Sequence, residues 1–203
     1  MLGRIGFFAA IVCACGLAHA QSIGAPNETT AKSAIFAGGC FWCMEEAFDK
    51  VPGVLATTSG YTGGSVVDPT YEQASAGGTG HVEAVKVEFD PAKVSYSQLL
   101  GAYWHNVDPF DPVGQFCDKG ESYRSVIFTA DAGEQALAES SKEQIAARFE
   151  HPVATEIRPQ LPFYPAEAYH QDFHAKSSLR YRYYKWACGR AQRLEEIWGK
   201  AGT

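Results

Sequence analysis

Gly38-Gly39-Cys40-Phe41-Trp42-Cys43-Met44-Glu45-Glu46 is the point at which a short apolar run stops and a helix begins. Upstream, Ser33-Ala34-Ile35-Phe36-Ala37 reads as a buried strand; downstream, Met44, Ala47, Phe48 and Val51 recur at helical spacing until Pro52-Gly53 ends the segment. The two glycines supply the tight turn between them. Cys40 therefore falls in the first turn of a helix, where unpaired backbone N–H groups and the positive end of the macrodipole favour a thiolate. That makes Cys40 a candidate nucleophile.

Working outward, residues 54–61 are β-branched enough for a second strand, which Thr62-Gly63-Gly64 ends. Residues 65–80 carry Pro69, Gly77, Gly78 and Gly80 and read as a loop long enough to be functional; it holds Tyr71. His81-Val82-Glu83-Ala84-Val85-Lys86-Val87-Glu88-Phe89 alternates, with Val85, Val87 and Phe89 on one face and Lys86 and Glu88 on the other. Glu83 has the parity of the apolar set. Two readings of it stay open: a desolvated acid with a raised pKa, able to donate a proton near neutral pH, or a carboxylate that swings out at the strand end.

Asp90-Pro91 turns the chain, and Ser95 with Gln98 is a capping-box signature for a helix bearing Tyr96, Leu99, Leu100 and Tyr103. A second irregular stretch, residues 107–121, contains Cys117 and Asp118 and has the length of a binding loop. Residues 124–129 read as a strand, Asp131 with Glu134 starts a helix reaching Phe149, and residues 153–157 read as a further strand. The order β-α-β-β-α-β, then α-β, predicts an α+β fold of the ferredoxin-like, split βαβ kind, helices covering one face of a largely antiparallel sheet. A long irregular tail rich in aromatic and basic residues is expected to wrap the core before a final helix around Arg193-Leu194-Glu195-Glu196-Ile197-Trp198.

The 203 residues, 46% hydrophobic, suffice for one sizeable core and one domain. A formal net charge of −6 argues against a nucleic acid or an anionic membrane as partner, because both select basic surfaces. Arg4, the apolar run of residues 5–17 and Ala18-His19-Ala20 have the form of a signal peptide over residues 1–20, with residues 21–31 a flexible lead-in and residues 32–203 the catalytic domain. A retained anchor and a lipoprotein signal at Cys15 are the alternatives. The expected location is periplasmic. Of six cysteines, Cys13 and Cys15 lie in the leader, leaving Cys40, Cys43, Cys117 and Cys188 in an oxidising compartment.

One C-x-x-C with two scattered cysteines lacks the paired spacing of structural zinc sites, so no metal is expected. A thioredoxin-like dithiol of Cys40 and Cys43 is the stronger competitor, but its motif opens an α+β order here rather than a thioredoxin-type βαβ start. Five spaced motifs decide between them: Gly39-Cys40-Phe41-Trp42, Gly60-Tyr61-Thr62-Gly63-Gly64, Pro69-Thr70-Tyr71, Gly80-His81-Val82-Glu83-Ala84-Val85 and Cys117-Asp118-Lys119-Gly120-Glu121-Ser122-Tyr123-Arg124-Ser125. With Phe163-Tyr164-Pro165-Ala166-Glu167 and Tyr169-His170-Gln171, this pattern resembles the A class of peptide methionine sulfoxide reductases over residues 34–199.

The resemblance implies reduction of the S epimer of free or protein-bound methionine sulfoxide, in repair of oxidised proteins, with no cofactor. Cys40 would attack the sulfoxide sulfur and become a sulfenic acid. Phe41 and Trp42 would wall the pocket for the substrate methyl, and Glu83, Tyr71 and Tyr123 would hydrogen-bond the oxygen, Glu83 also protonating it. Asp118 would order the polar network beside them. A second thiol must then form a disulfide: Cys188 is the first candidate, flanked by Lys185, Arg190 and Arg193, followed by Cys43 and Cys117. Relatives often carry glycine at the position of Cys43. The implied reductant is thioredoxin or a thioredoxin-like domain, and the expected state is a monomer.

Overall fold

The apolar run before Gly39 forms β1 (Lys32–Gly38), which turns into α1 (Phe41–Asp49). β2 (Val54–Thr62) and β3 (Val82–Phe89) follow, with a one-turn helix α2 (Tyr71–Ser75) between them. Next come α3 (Tyr96–Trp104), a minimal hairpin of β4 (Gly114–Gln115) and β5 (Asp118–Lys119), a 3-10 turn over Glu121–Tyr123, β6 (Ser125–Thr129) and α4 (Ala132–Phe149). β7 (Glu156–Pro159), β8 (Tyr164–Pro165), α5 (Phe173–Lys176), α6 (Ser178–Ala187) and α7 (Arg190–Trp198) complete the chain. This computed structural model describes residues 30–200 together with Met1 and Gly3. Almost all of the expected leader, Cys13 and Cys15 included, and almost all of the lead-in lie outside the described residues.

The main sheet has the order β7-β6-β1-β3-β2-β8, antiparallel except where β6 meets β7. Its centre, β6-β1-β3-β2, is the expected split βαβ core: α1 joins β1 to β2, and α3 lies between β3 and β6. One sheet face carries Phe36, Val85, Val87 and Phe89, which pack with Phe48, Leu99 and Tyr103 of α1 and α3. The other carries Ile35, Ala37, Ala84 and Phe128, with Phe163 packed against them. Strand alternation decides both sets, and it puts Glu83 on the helix-covered face with Val85 and Val87.

The capping signatures form as expected. Ser95 Oγ accepts from Gln98 N at 3.3 Å while Gln98 Oε1 accepts from Ser95 N at 2.9 Å, an arrangement whose cap is worth about 1 kcal/mol. Thr70 and Gln73 make the same box at the head of α2. The stretch expected as a loop over residues 65–80 thus contains a helix that begins on Tyr71.

The C-terminal tail differs from its expected irregular form. α5 and α6 precede the final helix, so most of it is helical. Residues 178–187 contain no Gly or Pro, but of α6 only Tyr181 is buried. With one buried position there is no apolar stripe to read, and the helix is held by side-chain anchors: Tyr181 Oη donates to Glu46 at 2.6 Å, Lys185 pairs with the same carboxylate at 2.5 Å, and Cys188 follows at the helix end.

Candidate active site

Cys40 is the N-cap residue of α1, one position earlier than a first-turn placement, and its side chain makes no cap hydrogen bond. Its carbonyl accepts from Cys43 N at 3.1 Å and Met44 N at 3.4 Å, which starts the helix and leaves Sγ free to face inward. Gly39 has φ +77°, and a Cβ there would stand 2.5 Å from Gln115 Cβ. Only glycine allows β1 to turn into α1 this close to the β4–β5 hairpin.

Glu83 reaches the site from β3. Its Oε2 accepts from Phe41 N at 3.0 Å, and it is 2% exposed. Of the two readings of this acid, the buried one holds. Burial pushes its pKa up to about 8 against the pull of the Phe41 N–H, and the charges of Asp118 and Cys43 push the same way. At neutral pH it is a carboxylic acid with a proton to give.

Tyr71 is fixed through its backbone, which donates to Glu167 Oε1 at 2.9 Å; Tyr61 Oη donates to the other oxygen of that carboxylate at 2.9 Å. Tyr123, from the 3-10 turn, lines the same cavity as Tyr71. Burial raises both phenols, so both stay neutral donors. Cys40, Phe41, Trp42, Tyr71, Glu83, Asp118, Tyr123 and Tyr184 line one cavity of about 60 Å³. That is roughly two water volumes at ~30 Å³ each, room for a small polar group on a sulfur or carbon. A larger cavity of about 260 Å³ between α3, α4 and α7 contains no cysteine.

The seven side chains singled out for Cys40 and its pocket thus converge from α1, α2, β3, β5 and the 3-10 turn. The sequence of the whole domain points the same way: a family model described as peptide methionine sulfoxide reductase matches residues 32–202.

The chain belongs to that family. A relative from Ligilactobacillus salivarius (strain UCC118), called peptide methionine sulfoxide reductase MsrA, is 54% identical over 151 residues, 73% of this chain and 88% of the relative. Among solved structures, methionine sulfoxide reductase A of Corynebacterium diphtheriae is similar with TM-score 0.68 and 30% identity, covering 75% of this chain and 78% of that one. Reduced Mxr1 from Saccharomyces cerevisiae is similar with TM-score 0.70 and 27% identity, covering 73% and 86%. As a member of the methionine sulfoxide reductase family, the protein is an oxidoreductase that works through redox-active cysteines.

The cysteines fall into two couples. Cys117, at the tip of the β4–β5 hairpin, is disulfide-bonded to Cys188 at the end of α6, with Cα atoms 4.9 Å apart. Cys40 and Cys43 are free and buried. Burial raises the Cys40 thiol well above its ordinary value, with the neighbouring Cys43 and Glu83 adding to the rise. The thiolate expected from a helix start therefore does not prevail in the resting site: a helix terminus contributes ~0.3–1 kcal/mol, whereas burying an anion costs several kcal/mol. Cys43 goes the other way, to about 6, through its hydrogen bond with Cys40 and against burial, with the charges of Arg190 and Lys185 helping.

Around Cys188 the flanking cations have other partners: Lys185 pairs with Glu46, Arg193 with Asp108 at 2.7 Å, and Arg190, 3% exposed, donates to Met44 Sδ at 3.3 Å and stacks its guanidinium on Phe116. Cys117, Asp118 and Cys188 are the one close group of metal-type donors among the described residues, but two of the three sulfur and oxygen donors are bonded to each other.

Two residues of the site escaped sequence reasoning. Tyr184 donates to Asp118 Oδ2 and closes the cavity beside Cys40; its one sequence signal is a position four residues, about one helical turn, before Cys188. His170 packs at a tilt against Phe41 (4.9 Å between centroids) and Tyr71 (4.6 Å), and its Nδ1 accepts from Trp42 Nε1 at 3.2 Å. It stood in the Tyr169-His170-Gln171 motif without an assigned task. Among the described residues no helix is long and apolar enough to cross a membrane.

Proposed function

We propose that the protein reduces the S epimer of methionine sulfoxide, free and within proteins, at the Cys40 cavity. The observation that carries this reading is one cavity holding a buried cysteine, a buried neutral acid and two neutral phenols within a mostly aromatic wall. Cys40 sulfur attacks the sulfoxide sulfur, Phe41 and Trp42 hold the methyl, and Tyr71 and Tyr123 hydrogen-bond the oxygen. Glu83 protonates that oxygen, turning a poor leaving group into a good one. The substrate sulfur gains two electrons and leaves as the thioether; Cys40 loses two and becomes the sulfenic acid.

A second thiol then condenses with the sulfenic acid to a disulfide and water. Cys188 fits this step because it ends a helix anchored beside the cavity, and its disulfide with Cys117 is a form that an external dithiol can reduce. That dithiol is of the thioredoxin type. Residues 1–20 direct the protein to the periplasm, where it works as a monomer on oxidised exported proteins. The test is reduction of both epimers, free and in a peptide, with dithiothreitol as electron donor. Turnover of the S epimer alone, lost in Cys40→Ser, is expected; activity retained in that variant would overturn the assignment.

A further inference from the structure

Tyr184 is a cavity residue with no part in the chemistry described so far. Its ring stands edge-on to Trp42, with centroids 5.9 Å apart. Its hydroxyl donates to Asp118 Oδ2, and its side chain packs against Cys40 across the same cavity. α6 holds it there from both sides, through the Tyr181–Glu46 hydrogen bond of 2.6 Å and the Lys185–Glu46 ion pair of 2.5 Å, neither of which involves Cys188.

A phenol has one hydrogen and two acceptor lone pairs. With that hydrogen on Asp118, the free side of the oxygen is open to the S–H of Cys40. Resting on the sulfoxide-reductase reading, we propose that Tyr184 is a catalytic residue that carries the thiol proton of Cys40 to Asp118 as the sulfur attacks. The transfer is a double hop: the Tyr184 hydrogen moves to the Asp118 carboxylate while the Cys40 hydrogen moves to the Tyr184 oxygen. The Tyr184 O–H then points at the sulfur, where it stabilises the anion that burial opposes.

The protons and charges balance. Glu83 gives its proton to the sulfoxide oxygen, Cys40 gives its own to Asp118, and the oxygen ends as the hydroxyl of Cys40 sulfenic acid. One carboxylate is present before and after: Asp118 at the start, Glu83 at the end. The two acids thus have opposite tasks on either side of the reacting sulfur, one as donor and one as acceptor. Facing Cys40 are Cys43 of α1, Glu83 of β3, Tyr71 of α2 and Tyr184 of α6; facing Asp118 are Tyr184, Lys119, Arg190, Glu83 and Tyr123. Burial raises Asp118 above the ordinary carboxylate value, with Tyr184, Arg190 and Lys119 opposing the rise, which favours uptake of a proton by the oxygen that accepts from Tyr184.

The experiment follows Cys40 alkylation by iodoacetamide, peptide by peptide, against pH, alongside single-turnover formation of sulfenic acid trapped with dimedone. Tyr184→Phe keeps the ring against Trp42 and removes only the hydroxyl. The expected result is an alkylation midpoint at higher pH, with a rate about tenfold slower at fixed pH below it, and single turnover slowed ~10²-fold. Asp118→Asn leaves the phenol hydrogen free for the sulfur: its alkylation midpoint falls or stays, yet its single turnover slows like that of Tyr184→Phe. An unchanged alkylation midpoint in Tyr184→Phe, or single turnover at the parent rate in either variant, would overturn the proposal. The alkylation profile needs no sulfoxide, so a protein that fails to turn over sulfoxide at all removes the functional reading, while a shifted midpoint would still report the Tyr184 contact.

Discussion

The backbone N–H of Phe41 donates to Glu83 Oε2 at 3.0 Å, tying the first residue of α1 to an acid buried on β3. A helix start would ordinarily favour a carboxylate there. Burial outweighs it and leaves Glu83 protonated up to about pH 8.

Glu83→Gln is expected to keep the fold, since an amide oxygen can still accept from Phe41, and to lose ~10²–10⁴-fold in turnover because it has no acid proton. In the parent enzyme, turnover should fall as pH rises through about 8. Because the folded value lies above an unfolded one of about 4.3, the same group contributes least to stability at high pH: that contribution is complete below about 4.3 and is lost as pH rises through the folded value. Initial rates from neutral to alkaline pH, and melting temperatures from acid to alkaline pH, check both.

The Cys117–Cys188 bond closes a loop across 71 positions and ties the β4–β5 hairpin to α6. Its reduction should lower stability by about 2–4 kcal/mol, read as a drop in melting temperature with dithiothreitol that Cys117→Ser does not show. Mapping disulfides after one substrate turnover of fully reduced enzyme should find Cys188 oxidised. Cys188→Ser should accumulate dimedone-trappable Cys40 and stop turnover driven by a thioredoxin-type dithiol.

Gly39→Ala should be destabilising by about 1–3 kcal/mol from its left-handed backbone alone. It also drives a methyl into Gln115, whose side chain accepts from Asp108 N and donates to Asp108 O, both at 2.8 Å. Asp118 follows Gln115 in the same hairpin, so activity should fall further than stability. Urea midpoints compared with kcat separate the two losses.

His170 accepts the Trp42 indole N–H on Nδ1, which requires the neutral ring. Burial lowers its pKa, so its contribution is present above an unfolded value of about 6.5 and is lost as pH falls through the lower folded value. His170→Phe leaves the indole N–H without its acceptor, at about 1–3 kcal/mol. A raised KM with a smaller change in kcat, together with altered Trp42 fluorescence, is the expected signature; parent values of both would remove His170 as the support of Trp42.

Much of this protein is determined locally. Alternation along residues 81–89 orients β3, the Ser95–Gln98 and Asp131–Glu134 caps start α3 and α4, and Gly38-Gly39 delivers Cys40 to a helix start. Those are nearest-neighbour effects of pleat, capping and backbone freedom, and they suffice to name the split βαβ core and most of the cavity. The pairing of cysteines is of another kind. Cys117 and Cys188 meet only because α6 is anchored to α1 through Glu46, a contact between residues more than a hundred positions apart. The charge state of Cys40 and Glu83 was likewise decided by tertiary burial, which exceeds the helix-terminus field that the sequence alone supplies. Tyr184 belongs with them: on a helix with one buried residue no apolar period betrays it, and only the folded chain brings its side chain against Cys40 and its hydroxyl to Asp118.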